Sequence, residues 1–76
     1  MDRERLAAEM HTIWSDWMKY MFARCFPLHN GDHVISAYFV GRWQHQMNTD
    51  YEQLSEHEKE SDRELADKIA AIIEEE

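Results

Sequence analysis

Only one cysteine, one proline and two glycines occur among the 76 residues. A single thiol cannot close a disulfide within the chain, so a cystine-stapled scaffold is excluded, and a reducing, cytoplasmic setting suits the sequence. So little glycine and proline leaves scant material for long loops. No apolar stretch approaches the roughly 20 residues of a membrane span, and no segment reads as a signal peptide. Basic charge is the other shortage. Eight Lys and Arg face sixteen Asp and Glu, for a net charge of −8. Direct nucleic-acid binding through a basic surface is not expected from that balance.

What is present is aromatic and acidic, in different places. Three Trp, three Tyr, three Phe and five Met supply most of the material for a core. A chain this short hides only about 60% of its unfolded surface, so one small domain spanning residues 1–76 is expected. Residues 1–49 hold five acids and five bases; residues 50–76 hold eleven acids and three bases, and so the whole −8. Acidity of this kind keeps a small domain soluble. It also suits docking on a basic protein surface.

The spacing predicts an all-α, compact three-helix domain with an irregular loop or short hairpin between helices 1 and 2. Asp2 fits the N-cap of the first helix, residues 2 to about 24. Leu6, Met10, Ile13, Trp14, Trp17, Met18, Met21 and Phe22 recur at three and four, the mark of one broad apolar face. Phe26-Pro27 ends that helix, because a residue before proline avoids the α region. Asn30-Gly31 marks a turn, and Val34-Ile35 reads as a short extended piece. Ser36 fits the cap of a second helix over about 37–47, with Ile35, Phe39, Trp43 and Met47 on one face. Gly41 inside it reads as a place where the first helix comes close. Ser55 followed by Glu58 is a capping box, so a third helix starts there and runs to about 74. Its apolar stripe is late: Leu65, Ile69, Ile72 and Ile73. Leu6, Met10, Ile13, Trp17, Phe39, Trp43, Leu65, Ile69 and Ile72 are expected to share one core. The closing glutamates oppose the helix macrodipole, so the last turn is expected to fray.

The stretch before and into the third helix carries a resemblance. Tyr51-x-x-Leu54-Ser55-Glu56-x-Glu58-Lys59-Glu60-x-Asp62-Arg63 resembles the end of the RyR repeat, the small domain named after ryanodine receptors. Leu6-Ala7 with His11 and Trp14 resembles that repeat's first helix. Together the matching segments cover roughly a third of the chain. Asp50 stands where the repeat usually has Pro, and its Gly-Trp-x-x-Gly segment has no counterpart. The resemblance implies a small stand-alone phage or bacterial form, acting in the cytoplasm of a bacterial host.

Chemistry-bearing constellations are few. Cys25, His29 and His33, spaced by four with Asp32 adjacent, are all zinc-ligating types, but no cysteine pair accompanies them and no metal is expected. No nucleophile motif and no phosphate-cradling glycine loop occurs, so neither catalysis nor a cofactor is expected. Trp14, Trp17, Tyr20, Tyr38, Arg42, Trp43, Tyr51 and Arg63 remain as a set of flat rings with guanidinium groups. Such a set sandwiches a base and pairs a phosphate, or else serves as core and surface ion pairs. Two expectations follow. The first is a protein that withholds a small nucleotide-like signal of a host defence system. The second is an acidic inhibitor that presents Glu56, Glu58, Glu60, Asp62 and Glu64 to a basic host protein, such as the nucleic-acid channel of a CRISPR effector. For Arg63 the alternatives are a reach back to Tyr51 and the Tyr38–Arg42 region, or a surface pair with Glu60. A monomer or weak homodimer is expected, because the acidic helix repels a copy of itself, while the width of the first helix's apolar face favours pairing.

Overall fold

The computed structural model describes residues 2–75. Three helices and one small hairpin follow in the order α1 (Arg3–Ala23), β1 (Phe26–Pro27), β2 (His33–Val34), α2 (Ala37–Met47) and α3 (Glu56–Glu74), with a 3-10 turn at Tyr51–Gln53. This is the all-α architecture read from the spacing, with the short hairpin between the first two helices.

The helix starts follow from their caps. Asp2 accepts from the N–H groups of Glu4 (3.0 Å) and Arg5 (3.2 Å). Ser36 accepts from Phe39 N at 3.5 Å. At α3 both halves of the capping box are present: Glu58 N donates to Ser55 Oγ at 3.2 Å, and Ser55 N donates to Glu58 Oε1 at 3.2 Å. Each bond removes an orphan donor from a first turn, which is why these three serine and aspartate positions set the boundaries. At the other end of α1, Arg24 donates from Nη1 to the Tyr20 carbonyl at 3.1 Å and lies over the Tyr20 ring. Positive charge against terminal carbonyls is the favoured sign.

The hairpin is minimal. Phe26 pairs with Val34 and Pro27 with His33, antiparallel. Leu28 N donates to Asp32 O at 2.7 Å, and Gly31 N to Leu28 O at 3.0 Å. Gly31 sits at φ 94°, a conformation that side-chain-bearing residues rarely adopt. Asn30 braces the turn by accepting from Asp32 N at 3.0 Å. The extended piece is therefore His33–Val34 rather than 34–35, a shift of one residue.

Arg5, near the start of α1, is ion-paired to Glu75, just past the end of α3, so those helices run antiparallel. α3 stays regular to Glu74. The expected fraying of the closing glutamates meets a positive partner at Glu75, and Glu76 lies outside the described residues. α2 joins α1 through Trp17 and Trp43, whose ring centroids lie 5.4 Å apart.

The three helices lie in little more than one layer. The chain measures 48 × 32 × 16 Å, and its shortest dimension is only about one and a half helix diameters. Its radius of gyration is 15.7 Å, against about 11 Å for a typical globular chain of this length. The single buried core expected from the three stripes is not found. Among the described residues none is fully buried. Leu6, Ile13, Phe39, Trp43, Leu65, Ile69 and Ile72 are half-buried, while Met10 and Trp17 are exposed. The spacing correctly groups residues by face, but two helices and a short third do not enclose the faces they share.

Gly41 also departs from expectation. A Cβ built there meets nothing within 4 Å, so no helix approaches it. The two glycines consequently respond to alanine with opposite sign. Gly41→Ala is expected to raise the unfolding free energy, and with it the urea midpoint, by up to about 1 kcal/mol of stability, because only the entropy of a flexible helix residue is removed. Gly31→Ala is expected to lower it by about 1 kcal/mol, because the positive φ has to be kept. Equilibrium urea melts of the two variants check this.

Candidate functional site

A cleft of about 350 Å³ opens where the three helices meet. α1 contributes Ile13, Asp16, Trp17 and Tyr20, at three- and four-residue intervals that put them on one face. α2 contributes Arg42, Trp43 and Gln46. α3 contributes His57, Glu58, Ser61, Glu64, Leu65 and Lys68, again one face of a helix. The walls are aromatic. Trp17 meets Tyr20 edge-on at 5.9 Å, and Trp43 is backed by Phe39 at 5.1 Å. Trp17, Trp43 and Gln46 also line a second recess of about 400 Å³, together with Met47, Thr49, Tyr51, Leu54 and Asp62.

The sequence-derived ligand set is divided by this arrangement. Trp17, Arg42 and Trp43 come together in the cleft, and Tyr51 joins the two tryptophans in the second recess. Trp14 is 60% exposed, stacks on His11 and lines neither cavity. Tyr38 is 68% exposed and rests edge-on against Phe39. Arg63 lines neither cavity. Its Nη1 donates to Glu56 Oε2 at 3.1 Å and to Glu60 Oε2 at 3.3 Å. Hydrogen bonds that Arg63 donates to Glu56, then Glu60, then Tyr51 push its guanidinium above its already high value. Both alternatives for Arg63 are thus partly realised: it pairs with Glu60, and it reaches Tyr51.

The acidic set is divided too. Glu56 is held below the ordinary glutamate value of 4.5, first by the hydrogen bond from Arg63, then by the fields of Arg63 and Lys59. Glu58 is held low first by the Ser55 hydroxyl and then by the Ser55 backbone N–H. Lys59, only 18% exposed, places Nζ 3.7 Å from Glu56 and 5.8 Å from the centre of the Tyr51 ring. The apolar gap at the start of α3 is therefore filled by a polar lattice. Tyr51, Lys59, Arg63 and two glutamates fix the helix entry, and the residues that resemble the RyR motif are the ones that build it. Asp62 and Glu64 are left for the two cavities.

Asp16, Gln46, His57, Ser61 and Lys68 line the cleft without having been singled out as site residues, while Tyr20, one of the sequence-derived rings, does line it. The signal for Asp16 was its place beside Trp17 and one turn before Tyr20. His57 and Ser61 carried none, because the early turns of α3 read as solvated, and Lys68 lies beside the late apolar stripe as a charge among Leu65, Ile69 and Ile72. Among the described residues no group of three His, Cys, Asp or Glu is placed to hold a metal. Cys25 Sγ donates to Met21 O at 3.3 Å, and His33 packs against the Phe22 ring at 5.3 Å.

No protein-family profile, curated protein or solved structure matches this chain.

The lowered carboxyls make the α3 entry acid-sensitive. A depressed folded pKa contributes stability above the unfolded value near 4.5, and that stability is lost as pH falls through the folded value. Glu58→Gln keeps a capping-box side chain but removes the titration. Between neutral pH and pH about 3 the Glu56→Gln/Glu58→Gln protein is expected to lose less thermal midpoint than the parent, as followed by circular dichroism. Arg63 stays charged throughout and adds nothing to that slope.

Proposed function

We propose that this chain is a small non-enzymatic binding protein that docks on a basic protein surface and takes a cationic side chain into the cleft. One observation carries this reading. The cleft that forms gathers three carboxylates, Asp16, Glu58 and Glu64, against Arg42 and Lys68. The second guanidinium of the anion-binding set, Arg63, is tied to Glu56 and Glu60 outside it. A guanidinium or ammonium entering the cleft has the indole rings of Trp17 and Trp43 to lie over, the Tyr20 ring being already covered by Arg24. Such contacts contribute about 0.5–2 kcal/mol each. Asp16 and Glu64 add opposite charge. A phosphate in the same place meets net negative charge and loses.

The acidic balance of residues 50–76 supports the same reading, since it steers association with basic partners over a screening length of about 8 Å. A positively charged nucleic-acid channel of a defence nuclease is a surface of this kind. The resemblance to stand-alone RyR-type modules fits a binding role without catalysis. Withholding a nucleotide-type signal is the competing reading.

Calorimetry with oligo-lysine and oligo-arginine probes, at low and high salt, tests the proposal beside a panel of cyclic and linear nucleotides. Binding of the cationic probes that weakens with salt is expected, with no nucleotide binding. Asp16→Asn and Glu64→Gln are expected to weaken it several-fold more than Glu52→Gln, which removes the same charge outside the cleft. Nucleotide binding that Arg42→Ala abolishes, with no cationic binding, overturns the proposal.

A further inference from the structure

We propose that α1 pairs with α1 of a second copy of this chain, antiparallel and centred near residue 16, to form a homodimer.

Area is the first argument. The chain exposes 6261 Å², about 1,300 Å² more than an ordinary folded monomer of its mass. If two copies cover that excess, about 2,700 Å² is buried in total, the size of an obligate homodimer interface and well above a transient one. The layer described above supplies the reason. A sheet of helices little more than one helix thick has an open face, and a second layer is the smallest addition that closes it.

Sequence spacing on α1 is the second argument. α1 carries two neighbouring seams, not one. Leu6, Ile13, Trp17 and Tyr20 turn toward the other helices, with Ile13, Trp17 and Tyr20 lining the cleft. The second seam is Ala7, His11, Trp14, Met18, Met21 and Cys25, at intervals of four, three, four, three and four. That alternation is the repeat of helices that pack along their length. Cys25 lies just past the helix, in the turn that follows. Ala7, His11 and Trp14 are exposed, and Met10 and Phe22 beside them are 54% and 51% exposed. Met18, Met21 and Cys25 keep partial exposure.

This seam is self-complementary. Turned end for end about residue 16, it sets Trp14 against Met18, His11 against Met21 and Ala7 against Cys25. The largest side chain meets a flexible thioether at the centre, and the smallest meets the thiol at the ends, where the chains diverge. From Ala7 to Cys25 neither the seam nor the positions that flank it (8, 15 and 22; 10, 17 and 24) hold a carboxylate; Glu4 continues the stripe only at the helix start. The acidic repulsion between copies therefore arises elsewhere, chiefly on α3, and does not oppose contact at α1. A foreign partner would not be expected to match this symmetry.

Sedimentation equilibrium of the full chain tests the dimer. A dimer is expected at low and high salt alike, since burial of apolar surface drives it. Trp14→Glu is expected to give a monomer that retains its helical circular dichroism, because Trp14 is exposed in the single chain. Tyr38→Glu, an equally exposed aromatic on α2, is expected to remain dimeric. The arrangement has its own test. Antiparallel pairing places the two Cys25 residues about 27 Å apart along the axis, so mild oxidation leaves the parent uncrosslinked. Ala7→Cys brings a thiol opposite Cys25 of the other copy and is expected to give a disulfide-linked dimer. That crosslink decides the matter even if Trp14→Glu fails to fold. A parent that sediments as a monomer at all concentrations overturns the proposal. So does an Ala7→Cys protein that crosslinks no better than the parent. None of these readouts depends on a cationic partner, so the docking reading stands or falls separately.

Discussion

The contact between Trp17 and Trp43 is the point on which the arrangement turns. It joins α2 to α1, and the two rings line both the cleft and the second recess. The pair is also economical in chain length. Two indoles reach across a gap that aliphatic side chains would leave open, which lets an eleven-residue helix be placed without a core beneath it.

A second constraint is the thinness of the fold. Apolar side chains in a single layer of helices lose only part of their contact with water, so their contribution to stability is correspondingly partial. Local devices then carry more of the specification than in a thicker domain. Every long helix here begins with a side-chain cap, and α3 adds a lattice of tyrosine, lysine, arginine and glutamate around its first turns. These interactions are exposed and individually weak. Their effect is on where helices start and how their first turns are held.

What the sequence made legible follows that division. Asp2, Ser36 and Ser55 with Glu58 were readable because a cap and its partner lie within three residues of each other. Pro27 and the Asn30-Gly31 turn were readable for the same reason. The core was not, because a period of three and four says which residues share a face and nothing about what covers it. Met10 satisfies the pattern and is open to water. Gly41 misled for the same cause: glycine in a helix signals freedom for a neighbour to approach, and no neighbour does. At the site, the aromatics were legible as a class, but their division was not. Arg63 looked available for an anion until Glu56, a full two turns earlier, proved to share it. His57 entered the cleft from a turn that carried no apolar mark.

The ion pair between Arg5 and Glu75 brings residues near the two ends of the described chain side by side. The order in which the elements are strung is therefore loosely coupled to the shape they make. A short linker across that pair would turn the chain into a ring, and cutting the ring between Leu28 and Asp32, in the exposed turn of the hairpin, would leave every helix whole. The same adjacency means that any segment appended at either end emerges from one edge of the layer. Two appended segments would leave as neighbours, well away from the hairpin.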